Sequence, residues 1–158
     1  MLRTPAPLIG ALGIMRKGEL DMGRWYSKQD LAIEQLDRAI GLLLDHQDVI
    51  CAITLAGAAE EILGKILEST GTRNALQERI DEFIREGGLA GEEWKSKHYT
   101  EIANSARDAL KHYGDGSGYS VVPEMAHEYI ERAIDNLERL GVEATLPVKR
   151  YLEEIRGE

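Results

Sequence analysis

The stretch DVICAITLAGAAEEILGKILES, residues 48–69, decides the fold. Val49, Ile50, Ala52, Ile53, Leu55, Ala56, Ala58, Ala59, Ile62, Leu63, Ile66 and Leu67 set apolar side chains on nearly every side of one helix, and such a helix is central. Asp48 is placed to cap its start, and Gly71 supplies the left-handed stop. At ~100° per residue, Glu60 falls inside the stripe of Ile53, Ala56, Leu63 and Leu67, whereas Glu61 is rotated away from it. Burying a carboxylate is costly unless a cation or donors meet it, so Glu60 asks for a partner on a neighbouring helix. Arg107 is one candidate. The other reading sets Glu60 at the rim of the stripe, in reach of water.

The remaining helices are read outward from this one. Upstream, Ser27-Lys28-Gln29-Asp30 resembles a capping box with Asp in place of Glu, and Leu31, Ala32, Ile33, Leu36, Ala39, Ile40, Leu43 and Leu44 follow at helical spacing. The pattern breaks at Asp45-His46-Gln47-Asp48. Downstream, Asn74 caps a short helix carrying Leu76, Ile80, Phe83 and Ile84, which Gly87-Gly88 ends. From Glu92 to Tyr113, a core stripe of Tyr99, Ile102, Ala103, Ala106, Leu110 and Tyr113 has Arg107 at its margin. Pro123 opens another long helix, with Met125, Ala126, Tyr129, Ile130, Ala133, Ile134, Leu137 and Leu140 on its apolar face and Gly141 at its stop. Pro147 to Arg156 adds a short terminal one. The pattern predicts an all-α protein: an antiparallel four-helix bundle with an extra short helix between the second and third long helices and a short C-terminal helix.

Composition agrees. A chain of 158 residues with 43% hydrophobic content can bury a core as one domain without disulfides. We expect residues 1–26 to form an N-terminal arm and residues 27–158 the helical domain. Prolines and glycines interrupt the arm's apolar run from Pro7 to Met15, no small-x-small cleavage site follows, and the run falls well short of the about 20 residues a membrane-spanning helix needs. Cys51 is the only cysteine, which excludes a disulfide framework and a cysteine-based zinc site and fits a reducing, cytoplasmic compartment. The net charge of -9 disfavours sequence-blind nucleic-acid binding. Residues 92–114 are nonetheless neutral. A polyanion would approach there if Lys95, Lys97, His98, Arg107, Lys111 and His112 share a side.

Chemistry concentrates in Arg107-Asp108-Ala109-Leu110-Lys111-His112, next to Tyr113. Arginine is a permanent planar donor suited to phosphate, and histidine is the side chain that titrates near neutrality. Arg107 and His112 stand about 140° apart on a regular helix, so they share one phosphate only if the helix distorts or a second copy brings its own pair. On the same wheel Asp108 and His112 form an i, i+4 pair, and the bland alternative is a capped helix end without catalysis. Glu124-x-x-His127 is half of a bundle di-iron signature with no second copy, and the glycine-rich loop 114–118 follows a helix and lacks the GK[ST] ending of a phosphate-binding loop. Neither supplies a metal or cofactor site.

Four long helices with an Arg-Asp pair and a following His near the end of the third resemble the HEPN superfamily. Its motif is Arg, then His after a gap of four to six residues, usually with a polar residue behind the Arg. Asp108 fills the polar place, and Glu60 or Glu61 fills that of an acidic residue on the second helix facing the motif arginine. The likeness spans about Ser27 to Leu140; the helix from Asn74 to Glu86 is an elaboration. The resemblance implies a metal-independent, cofactor-free endoribonuclease of toxin or defence type, a homodimer whose two motifs line one groove. His112 would move a proton at the 2′-hydroxyl or leaving oxygen, Arg107 would bind the scissile phosphate, Asp108 would orient one of them and Glu60 would position Arg107. Lys111 and Tyr113 would contact RNA. A nucleotidyltransferase-type antitoxin is an implied partner. Two other readings stay open: a catalytically silent bundle that binds a nucleotide or protein, and a plain structural dimer.

Overall fold

The computed structural model describes residues 24–86, 93–112 and 114–158, the side chains of 93–95 excepted. Most of the expected arm, the Gly87-Gly88 stop and Tyr113 lie outside the described residues. The described chain is helical: α1 (Lys28–His46), α2 (Val49–Ser69), α3 (Ala75–Arg85), α4 (Glu93–Lys111), α5 (Pro123–Arg139) and α6 (Leu146–Tyr151), which runs into a π-turn over Leu152–Arg156. No described helix is long and apolar enough to cross a membrane.

The boundaries follow from local chemistry. Ser27 Oγ accepts the Asp30 amide N–H at 3.0 Å and Asp30 Oδ2 accepts the Ser27 N–H at 3.1 Å, which completes the capping box despite the shorter acid. Gln47 ends α1 in the left-handed region at φ 55°, and Asp48 immediately caps α2 by accepting the Cys51 N–H at 3.0 Å. Only these two residues separate α1 from α2, and the two helices pack against each other. Asn74 and Gln77 cap α3 reciprocally, and Pro123 stands in the first turn of α5, where its missing N–H costs nothing.

α2 packs against α1, α4 and α5; α1 also meets α5 and α6, while α3 meets α4 and α5. The core joins Leu36, Ile40 and Leu43 of α1 to Ile53 and Leu63 of α2 and to Tyr129, Ile130, Ile134 and Leu137 of α5. Each such side chain contributes about 1.5–3 kcal/mol by leaving water. Asn136 ties α3 to the bundle, its Oδ1 accepting the Ala75 N–H at 2.7 Å while its Nδ2 donates to the Glu60 carbonyl at 3.2 Å, and ion pairs from Arg79 to Asp135 and from Glu78 to Arg139 add to the hold. Asn136 thereby joins the start of α3 and the middle of α2 to the last turn of α5.

Two expectations need correction. α2 is central on its inner side only: Ile50 and Cys51 are exposed, and Ala58, Ile62 and Ile66 are half-buried. Ile102, assigned to the core stripe of α4, is 59% exposed. The buried side of α4 is rotated toward Asn104 and Arg107, because charged and amide groups from α2 and α5 meet it there.

Candidate functional site

Glu60 is buried, at 4% exposure, and does not reach water at a rim. Its carboxylate lies between two arginines: Arg107 Nη1 is 3.9 Å from Oε2 and Arg132 Nε is 3.8 Å from Oε1. Burial pushes the Glu60 carboxyl above its ordinary value, with Arg132 and then Arg107 pulling the other way. The choice between Glu60 and Glu61 as partner of Arg107 resolves into both, since Glu61 Oε2 is 3.3 Å from the same Nη1. Asp108 adds a third carboxylate, accepting from Arg107 Nε at 3.2 Å. This replaces the expected pairing of Asp108 with His112. Those two residues are joined by a helical backbone bond, His112 N–H to the Asp108 carbonyl at 3.0 Å.

The three carboxylates hold Arg107 unequally. Its side chain is only 13% exposed, Glu60 is buried, and Glu61 and Asp108 are each about half-exposed. The stem of Arg107 lies on bare backbone: a Cβ added to Gly57 would come within 2.8 Å of its Cδ and 2.9 Å of its Cγ. Glycine in the middle of α2, otherwise unfavourable in a helix, is what lets the arginine cross so closely. Beside it opens a cavity of about 250 Å³ lined by Glu60, Glu61, Gly64, Thr100, Asn104 and Arg107, among others.

Sequence reasoning missed Arg132. It is fully buried, donates to the Ala103 carbonyl at 3.2 Å and to Asn104 Oδ1 at 3.4 Å, lies 3.5 Å from Glu128, and stacks 4.5 Å from the centre of the Tyr129 ring. Its Nε, against Glu60, has no hydrogen bond. The Tyr129 hydroxyl in turn accepts the Arg107 amide N–H at 3.1 Å, so α5 grips α4 at both Ala103 and Arg107. A signal existed in the sequence: Tyr129, Arg132 and Asn136 stand at i, i+3 and i+7, a polar-tipped row beside the apolar face of α5.

The structure therefore brings together Arg107, Glu60, Glu61 and Asp108, with Lys111 Nζ 3.8 Å from Glu61 Oε2. It does not bring His112 to them within one chain. His112 is exposed just past the end of α4. His127 of the Glu124-x-x-His127 pattern hydrogen-bonds through Nδ1 to the Tyr151 hydroxyl at 2.7 Å, and among the described residues no group of three His, Cys, Asp or Glu is placed to hold a metal ion. In the glycine-rich loop, the Ser117 N–H that a phosphate cradle would use is taken by Asp115 Oδ1 at 2.9 Å. No protein-family model matches the chain, and neither a curated protein nor a solved structure matches it.

Proposed function

We propose that the chain is a metal-independent endoribonuclease of toxin or defence type, a cytoplasmic homodimer of antiparallel four-helix bundles in which Arg107 and His112 of both subunits line one cleft. The observation that supports this reading is the graded hold on Arg107. Glu60 is a buried anchor, while Glu61 and Asp108 are exposed enough to give way to a phosphate in the same place, and Glu60 keeps the guanidinium aimed. RNA supplies its own nucleophile. His112 takes the proton of the 2′-hydroxyl as the 2′-oxygen bonds to phosphorus, and the bond from phosphorus to the 5′-oxygen breaks as the partner subunit's His112 protonates that leaving oxygen. Arg107 stabilises the charge that develops on the phosphoryl oxygens, and Lys111, at the exposed end of α4, holds the adjoining backbone. An antitoxin of nucleotidyltransferase type is the partner that fits this reading.

The test is RNA cleavage by the purified chain in the presence of a chelator. Cleavage should vanish in Arg107→Ala and in His112→Ala, the second at an exposed position that leaves the fold unchanged. Activity unaltered in both variants overturns the assignment. One observation favours a second reading, a non-catalytic bundle that binds a nucleotide or protein: all the carboxylates around Arg107 already satisfy it. A ligand-dependent rise in melting temperature without any RNA cleavage supports that reading over the first.

A further inference from the structure

The outer side of α2 carries a groove of about 500 Å³ with Ala58, Ile62 and Ile66 as its floor and Lys28, Lys65 and Lys111 on its rim; Glu61 and Ser69 also line it. The floor residues recur every four positions, so they form one ridge along the helix, the register into which a second helix inserts apolar side chains. The rim is positive on a protein whose net charge is -9. Its carboxylate, Glu61, is drawn to Arg107 at 3.3 Å and Lys111 at 3.8 Å. Lys65 reaches Glu68 at 2.8 Å across an exposed i, i+3 pair, and Lys28 has no ion pair among the described residues.

We propose that this groove docks an amphipathic helix of a different protein, with apolar anchors repeating at i, i+4 and i+7 and flanked by Asp or Glu. Charge selects this occupant. A second copy placed here by a twofold axis sets the lysine rim against itself, and the chain's own first 26 residues, whose apolar run would suit the floor, carry a net +2 that the lysine rim repels. Because Glu61 belongs to both the groove and the Arg107 cluster, the docked helix lies alongside the edge assigned above to RNA. The docking itself does not depend on the ribonuclease reading.

The probe is a fluorescent synthetic helix of about 20 residues, long enough to hold helical structure, with Leu on the i, i+4, i+7 row and Glu beside it. A twin carries Lys in place of every Glu. Binding to the full chain is read by anisotropy at low and high salt, with no RNA present. The acidic helix should bind about tenfold or more tightly than its twin, with an affinity that falls as salt rises. Ile62→Glu should remove binding without changing the sedimentation of the chain. Lys28→Glu with Lys65→Glu should invert the preference so that the lysine twin binds better, a gain that misfolding cannot produce. Equal binding of the two helices, or binding of neither, overturns the proposal. So does a dimer that Ile62→Glu converts to monomer, which assigns the face to a second copy, and so does binding that appears only once residues 1–23 are removed, which assigns it to the chain itself.

Discussion

On the inner side of α2, Glu60 is packed between Arg107 and Arg132; on the outer side, Ala58, Ile62 and Ile66 are left half in water with lysines around them. An amphipathic surface helix normally has the reverse arrangement. The inner charges are tied to geometry. Each touches a different helix, so the network sets where α4 and α5 sit relative to α2, and it holds Arg107 at the surface of that junction. The outer apolar ridge is packed only in part, since Ile62 touches the core while Ala58 and Ile66 stay half in water, and this is the ridge proposed above to dock a helix. Buried charge here organises the fold and the site, while exposed hydrophobicity is available for association.

The comparison can be broken first at Arg132. Arg132→Met should destabilise the chain by about 3–5 kcal/mol in urea titration, because Glu60 keeps only one cation and the Ala103 carbonyl and Asn104 lose their donor. A cost under 1 kcal/mol would mean that the network is dispensable to the fold. Gly57→Ala comes next, at about 1–3 kcal/mol, since its methyl group must displace the stem of Arg107. On the ribonuclease proposal, this variant should also lose more RNA cleavage than the melting shift accounts for.

Glu60→Gln sharpens the inner side through pH. The Glu60 carboxyl is raised in the folded chain, so the native state holds a proton there over a window starting at the ordinary carboxylate range and running upward. The stability this group contributes is complete below that window and is lost as pH rises through it. Gln does not titrate. Glu60→Gln should therefore gain on the wild-type chain as pH rises from the acid side to neutrality, read as denaturation midpoints at several pH values; a gap independent of pH refutes the assigned direction. The smallest effect belongs to the outer side, where Ile66→Ser should change stability by under about 1 kcal/mol. A larger loss would show that the ridge serves the fold itself.

Sequence periodicity reached much of this. The wheel of α2 separated Glu60 from Glu61 and named Arg107 as a partner, and the caps at Ser27, Asp48 and Asn74 stand where local chemistry put them. It failed at Ile102 and Arg132 for one reason. A wheel built from apolar residues centres the buried side of a helix on those residues, but α4 turns Asn104 and Arg107 inward to meet Glu60 and Arg132. Arginine on α5 reads as a solvated residue until a carboxylate, a carbonyl and an aromatic ring are found around it. The Asp108–His112 pair failed similarly: the spacing allowed it, but Arg107 is a permanent cation one residue away and takes the carboxylate first.

By itself the sequence determined the described helices, the caps at Ser27, Asp48 and Asn74, the left-handed stops at Gly71 and Gly141, and the presence of a carboxylate in an apolar face that needed a cation. These are local matters, decided by side chains within a turn or two of one another. Only the tertiary structure decided which cations answered Glu60, that Asp108 joins Arg107, and that α2 leaves an apolar ridge under a lysine rim. Those outcomes depend on how far each helix rotates about its axis when all of them pack at once, and the charges on three helices fix that rotation jointly.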